Sequence, residues 1–149
     1  MTRRFLFILA CISVFTLSSL AQDDKAPKEV KETFTNQYPN AEDAEYRDNL
    51  LNVQVNFTLN GEKMTANYTR KGQWKYTEKD WSFDKLPEAV KDGFQKSKYA
   101  DWTVEDAKIV YKAGGTERYR VKVKKSDLQK KYLFFNKDGQ LVEDSITFQ

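Results

Sequence analysis

Two stretches of this sequence are nearly alike, and their Gly-Gln dipeptides lie 139 − 72 = 67 positions apart. "YTRKGQWKYTE" contains Gly72, and "FFNKDGQLVED" contains Gly139. A second pair behaves in the same way: "APKEVKETF", from Ala26, and "LPEAVKDGF", from Leu86, share Pro, Val, Lys and Phe at matching positions. A chain in which the same local sequence patterns occur twice, in the same order, is predicted to form one structural unit twice.

Each unit is predicted to begin with a short helix. Pro27 and Pro87 suit the first helical position, where the missing N–H of proline costs nothing. Val30 and Phe34 then recur at the spacing of one helix face, as do their counterparts in the second unit. Helices this short are marginal alone, so we expect each to pack on another element.

Strands are predicted to follow each helix. Residues 52–59 and 118–124 alternate between apolar and polar side chains, as half-buried antiparallel strands do. Asn60-Gly61 is a strong hairpin signal. The predicted fold class is α+β: two tandem repeats, each a helix plus a four-stranded antiparallel sheet, forming one helix-backed sheet structure. Repeat 1 is assigned to residues 22–83 and repeat 2 to residues 84–149, with a shared core, because units of about sixty residues bury little surface alone.

The N-terminus has the pattern of a secretory signal peptide. Arg3 and Arg4 precede an apolar run over residues 5–17, and small residues lead to a cleavage site after Ala21. Residues 1–21 are therefore assigned to the signal, and the mature chain is expected in the periplasm or outside the cell, without a transmembrane segment. The alternatives are a membrane anchor and a lipoprotein acylated at Cys11.

The composition argues against catalysis. The chain has no histidine, and its single cysteine, Cys11, lies in the predicted signal. The mature protein would lack the usual general base, thiol nucleophile and zinc ligands, so we expect no enzyme activity, no cofactor and no metal site. The acidic pairs Glu42-Asp43 and Glu105-Asp106 are interpreted as solvated strand entries. Removing two arginines with the signal leaves a net charge of 23 − 22 = +1, which argues against nucleic-acid binding.

A candidate binding surface lies in the second repeat. Strand phase places Tyr132 and Phe134 away from the helix side of the sheet, among cations. Residues 84–149 carry 14 basic and 11 acidic side chains, whereas residues 22–83 carry 9 and 11. Aromatic rings among cations suit an acidic or peptidic partner; the alternative is that the two rings belong to a second core layer. The predicted site residues are Tyr132, Phe134, Arg118, Arg120, Lys122 and Lys124.

The helix and turn motifs, in tandem behind a signal peptide, resemble the PepSY-like family, also described as β-lactamase-inhibitor-like. The second copy departs from the pattern at Ala100, where the first has Pro39, and at Leu141, where the first has Trp74. The resemblance implies a duplicated, helix-backed antiparallel sheet in an exported protein, and some relatives in the wider group inhibit secreted enzymes or accompany peptidases. The matching residues are Pro27, Val30, Phe34, Tyr38, Pro39, Ala41, Gly72, Trp74, Pro87, Val90, Phe94, Tyr99 and Gly139.

These observations predict an exported, non-catalytic binding module. It would present an open sheet face to a protein, peptide or anionic ligand, and could inhibit or accompany a secreted enzyme. The alternative hypothesis is a structural or accessory domain whose sheet face is buried in an oligomer.

Overall fold

The computed structural model describes residues 26–146. The predicted signal peptide, its cleavage site and Cys11 lie outside these residues. Two short 3₁₀ turns, at Phe83–Lys85 and Ala113–Gly115, connect regular elements. The helices and strands, in chain order, are α1 (Lys28–Gln37), β1 (Glu42–Asp48), β2 (Val53–Leu59), β3 (Glu62–Tyr68), β4 (Trp74–Trp81), α2 (Glu88–Gln95), β5 (Thr103–Lys112), β6 (Thr116–Ser126), β7 (Gln129–Phe135) and β8 (Leu141–Ser145).

Both helices begin directly after a proline, one residue later than the sequence predicts, since it places each proline at the first helical position. Pro27 and Pro87 occupy the N-cap positions, and their carbonyl oxygens accept the first backbone hydrogen bonds of α1 and α2. Each helix buries the valine and the phenylalanine of its first two turns. Within residues 26–146, no helix combines the length and the apolar character that a membrane crossing requires.

The eight strands described between residues 26 and 146 form one antiparallel sheet in the order β1 to β8. Every strand pairs with its neighbour in sequence, including β4 with β5, although α2 is inserted between them. The predicted α+β class is therefore correct. β4 continues to Trp81, where it still pairs with Ala107 of β5.

The two helices pack on the same face of the sheet. Val30 and Phe34 of α1 contact a cluster from β2 and β3 that includes Val55 and Tyr68. Leu86, Val90 and Phe94 lie in a second cluster with side chains of β5, β6 and β7. The strand register places both sets of strand residues on one side of the sheet. We call the opposite side the helix-free face.

The two turns that contain the Gly-Gln dipeptides contact the helices. Gly72 and Gly139 each have a φ of +79°, a conformation that favours glycine. A Cβ on Gly72 would lie 2.7 Å from the carbonyl oxygen of Glu29 in α1, and one on Gly139 would lie 1.9 Å from that of Ala89 in α2. The β3–β4 and β7–β8 turns are thus held against the helices at distances that only glycine permits.

Candidate functional site

The six predicted site residues share the helix-free face. In the β6–β7 pairing, Arg120 lies opposite Phe134 and Lys122 lies opposite Tyr132. In the β5–β6 pairing, Arg118 lies opposite Val110, and Lys124 continues the same row of β6. The strand phase inferred from the sequence is therefore confirmed, whereas a role for these residues in binding stays a prediction.

Phe134 is buried, so the choice that the sequence left open between a binding surface and a second core layer is decided for this ring. Its relative exposure is 3%, and it belongs to an apolar cluster on the helix-free face with Tyr76 of β4 and Val110 of β5. Tyr132 packs against this cluster and stays partly exposed. The open alternative of a second core layer therefore describes Phe134 correctly. The cause is the continuity of the sheet, which brings side chains of β4 and β5 beside those of β7.

Arg120 is also buried, with 5% relative exposure, and it connects two carboxylates. Its guanidinium nitrogens lie 3.2 Å from an oxygen of Glu78 on β4 and 2.8 Å from an oxygen of Asp106 on β5. The guanidinium carbon also lies 5.0 Å from the centroid of the Tyr132 ring. Arg120 is therefore a structural centre of this face, and Glu78 is a member of the site that the sequence prediction missed.

Burial raises the pKa of the Glu78 carboxyl above its ordinary value. The positive charges of Arg120 and Lys108 oppose this rise, while Asp106 and Asp80 add to it. The centre of the helix-free face thus contains a carboxyl group that is costly to ionise, beside an arginine that favours its ionised form.

The remaining cations form a more exposed rim around this centre. Lys122, Lys124 and Lys130 converge on the carboxylate of Glu105, with N–O distances of 3.2, 3.6 and 3.5 Å. Glu105 lies at a register shift between β5 and β6, which allows it to face several lysines. Its pKa is lowered, first by the hydrogen bond from Lys122. Three ammonium groups therefore share this carboxylate.

Other charges of the rim are paired more simply. Lys124 also lies 3.2 Å from Asp127, and Arg118 lies 3.1 Å from Glu143 of β8. Glu105 and Asp106 lie near the start of β5, as the sequence interpretation places them, and both also form ion pairs with β6. Lys130 was missed as a site residue, although it lies opposite Lys124 in the register and extends the same cationic row.

Asn67 is a polar residue at the other end of this face. It lies between Gln54 and Tyr76 across the strands, and its side chain is fully buried. Among the described residues, neither its amide nitrogen nor its amide oxygen has a hydrogen-bond partner. A buried amide in this state is unusual. Residues 26–146 contain no cluster of three or more candidate metal ligands.

The sequence also matches a known protein family. The match covers residues 51–143, or 143 − 51 + 1 = 93 of the 149 residues, and the family is described as β-lactamase-inhibitor-like, PepSY-like. The chain belongs to this PepSY-like family. Its matched region extends from the start of β2 to β8, so the family pattern includes both the strands before α2 and those after it.

Solved structures share the fold. A DUF2874 family protein from Bacteroides ovatus superposes with a TM-score of 0.71 at 27% identity, covering 82% of this chain and 88% of that protein. A BLIP-like protein from Bacteroides fragilis gives 0.68 at 23% identity, with 83% and 89% covered. A Bacteroides eggerthii protein, provisionally described as periplasmic, gives 0.67 at 23%, with 80% and 88% covered. Curated proteins gave no match to this PepSY-like chain.

Proposed function

We propose that this PepSY-like chain is an exported, non-catalytic binding module whose helix-free face receives a protein or peptide partner. The observation that carries the proposal is the composition of that face. Its centre has a buried apolar cluster with an enclosed ion pair, and its rim has partly exposed lysines. Because the apolar centre is already buried within the chain, the surface offered to a partner consists of the Tyr132 ring and the lysines around it, and aromatic rings are enriched in protein interfaces.

The favoured partner is acidic around its point of contact. Lys122, Lys124 and Lys130 share Glu105, so the cluster keeps an excess of positive charge beside the partly exposed ring of Tyr132. Such charges accelerate association with a surface of opposite sign and reject a surface of the same sign. Tyr132 would supply the apolar contact, and the cluster that contains Phe134 packs against Tyr132 and holds its ring in place.

Export and the family likeness suggest which partners to consider. The predicted signal peptide over residues 1–21 would deliver the mature chain to the periplasm or the exterior. One protein of similar fold is named BLIP-like. An exported enzyme that this chain inhibits or accompanies is therefore the partner class we propose. A structural role, with the same face buried in an oligomer, is the alternative.

We also propose that the sheet is built from two copies of one unit, residues 22–83 and residues 84–149. Two matching features support this division. A proline precedes each helix, and a glycine turn contacts each helix near its start, at Gly72 and at Gly139.

The partner chemistry can be tested with the mature chain and a labelled peptide of alternating glutamate and tyrosine residues. The variant Lys124→Gln/Lys130→Gln should bind this probe about tenfold more weakly in fluorescence anisotropy, with a smaller dependence on salt. The matched control is Lys28→Gln/Lys96→Gln, because these lysines are also exposed and also paired with a carboxylate, but lie in α1 and directly after α2 instead of on the rim. The control should bind as the unmodified chain does.

Two results would contradict the proposal. An equal loss of affinity in both lysine variants would show that the peptide responds to the net charge of the chain and not to a particular site. A stable oligomer in sedimentation equilibrium that becomes monomeric on Tyr132→Ser would establish the structural alternative.

A further inference from the structure

The hairpin between β1 and β2 breaks the usual chemistry of a turn. Its tip consists of Leu50 and Leu51, whose relative exposures are 91% and 89%. Gly, Asn, Asp and Pro normally occupy such positions, because they favour the backbone of a tight turn and are well solvated. Two adjacent leucines at this exposed tip bury no apolar surface and so contribute nothing to stability there. A position that breaks a local rule without a structural benefit is a candidate for function.

Two hydrogen bonds join Asn49 and Asn52, the residues on either side of the two leucines. The backbone N–H of Asn49 donates to the carbonyl oxygen of Asn52 at 2.8 Å. The side-chain amide of Asn49 donates to the side-chain oxygen of Asn52 at 3.2 Å. These internal bonds reduce the cost of moving the tip out of water, because fewer donors and acceptors are left unsatisfied there.

Cations lie directly behind the tip. Arg70, in the neighbouring β3–β4 turn, lies 3.1 Å from Asp48, the last residue of β1, and the adjacent Lys71 is exposed. Arg47 is exposed too, 3.9 Å from Glu45 further along β1. Behind the tip, three cations therefore accompany two carboxylates, Asp48 and Glu45, which leaves an excess of positive charge. The order along the hairpin is an apolar tip, then paired amides, then positive charge.

We propose that this hairpin tip binds reversibly to an anionic lipid surface, with Leu50 and Leu51 entering the boundary of the acyl chains. The layered order matches that of a membrane surface, where the acyl region lies beneath phosphate groups. A fluid interface accepts both leucines whatever their exact direction, and Arg70 and Lys71 then lie level with the anionic head groups. An apolar cleft of a protein is the competing occupant, and it gives no reason for the cations behind the tip.

The expected binding is weak. Two leucine side chains offer about eight carbons, fewer than the single myristoyl chain that gives only marginal, reversible attachment with an association constant of about 10⁴ M⁻¹. The cations add an attraction that depends on anionic lipid and is screened by salt. The hairpin would thus concentrate an exported protein at a membrane without fixing it there.

Co-sedimentation of the mature chain with lipid vesicles tests this proposal. Vesicles of phosphatidylcholine with roughly 30% phosphatidylglycerol should bind the chain, and pure phosphatidylcholine vesicles should bind it several-fold less. Leu50→Ser/Leu51→Ser should weaken binding to the anionic vesicles by about tenfold or more. The matched control is Leu128→Ser, since Leu128 is 97% exposed but lies in the β6–β7 turn at the opposite end of the sheet. It should leave binding unchanged.

Several outcomes would overturn the proposal. They are absence of binding to either vesicle, equal binding to both, and equal loss for Leu128→Ser. If the double serine variant does not fold, Leu51→Trp gives a second measurement: its added fluorescence should shift to the blue on anionic vesicles, and an unshifted spectrum contradicts insertion. The hairpin is separate from the lysine rim, and the double serine variant leaves that rim unchanged, so a loss of vesicle binding in this variant is assigned to the hairpin and not to the rim.

Discussion

Gly72 and Gly139 are constrained by both conformation and space, and a third glycine separates the two effects. Gly61 has the same φ of +79°, but a Cβ there would meet nothing within 4 Å. A Cβ on Gly139 would lie 1.9 Å from the carbonyl oxygen of Ala89. Alanine at position 61 therefore adds only backbone strain, while alanine at 139 also forces the turn away from α2.

We predict that Gly61→Ala lowers the free energy of unfolding by about 1–2 kcal/mol, the cost of a left-handed conformation for a residue with a Cβ. Gly139→Ala should cost about 1–3 kcal/mol more, as overpacking of a close contact does. Gly72→Ala should also exceed Gly61→Ala, since its nearest contact would be 2.7 Å. Urea unfolding of the three variants measures these differences. Equal stability of Gly61→Ala and Gly139→Ala would contradict the close docking.

The Glu78 carboxyl should give the protein a characteristic dependence on pH. Its pKa in the folded state is raised, mainly by burial, so the stability contributed by the neutral carboxyl is present at low pH and is lost as pH rises through the raised pKa. The variant Glu78→Gln lacks this titration. The free energy of unfolding of the unmodified chain minus that of the variant should therefore be larger at about pH 4 than at about pH 7. Urea unfolding at both pH values measures this difference. A difference that is constant or that grows with pH would contradict the prediction.

The helices are held through their aromatic anchors. Phe34 and Phe94 are both buried, and Phe34 packs edge-on against Phe57 with ring centroids 5.0 Å apart. Phe34→Ala and Phe94→Ala should each lower the free energy of unfolding by roughly 3–5 kcal/mol, because truncating a buried ring leaves a cavity. Leu128→Ala, at an exposed position, should change it by less than about 0.5 kcal/mol. If a helix variant is as stable as this control, the buried phenylalanine contributes little to the stability of the core.

The elements that the sequence predicted well are those with local signals. Pro27 and Pro87 mark the helix starts, and period-two alternation marks β2 and β6, because each pattern is complete within one element. Asn60-Gly61 correctly places the β2–β3 turn. Such signals depend on neighbouring residues alone, so no long-range contact is needed to interpret them.

The central contacts of the helix-free face could not be predicted in the same way. Glu78 meets Arg120 only because β4, β5 and β6 are adjacent in a particular register, which no local pattern determines. One signal was present: Ile109-Val110 and Phe134-Phe135 are consecutive apolar residues, and a strand that breaks alternation in this way is often buried on both faces. Their positions indicate where the second apolar cluster lies.

Across the whole sheet, the β4–β5 pairing joins the two proposed units. It extends from Tyr76 opposite Lys112 to Trp81 opposite Ala107. The Glu78–Arg120 ion pair crosses this seam, and so does the cluster of Tyr76, Val110 and Phe134. The helix-free face is therefore continuous across the junction of the two proposed units.

The seam predicts that neither unit is stable by itself. Residues 22–83 and 84–149 contain 62 and 66 residues (83 − 22 + 1 and 149 − 84 + 1). Separation would expose the edges of β4 and β5, with unpaired backbone groups, in chains already small for a stable core. Each half expressed alone should unfold without a cooperative transition in circular dichroism. An equimolar mixture of the two halves should recover the near-ultraviolet circular dichroism of the full chain, because re-forming the sheet would order the tryptophans of both halves. Trp74 and Trp81 lie in one half and Trp102 in the other. A half that melts cooperatively near the full-length temperature would show that its core is complete without the seam.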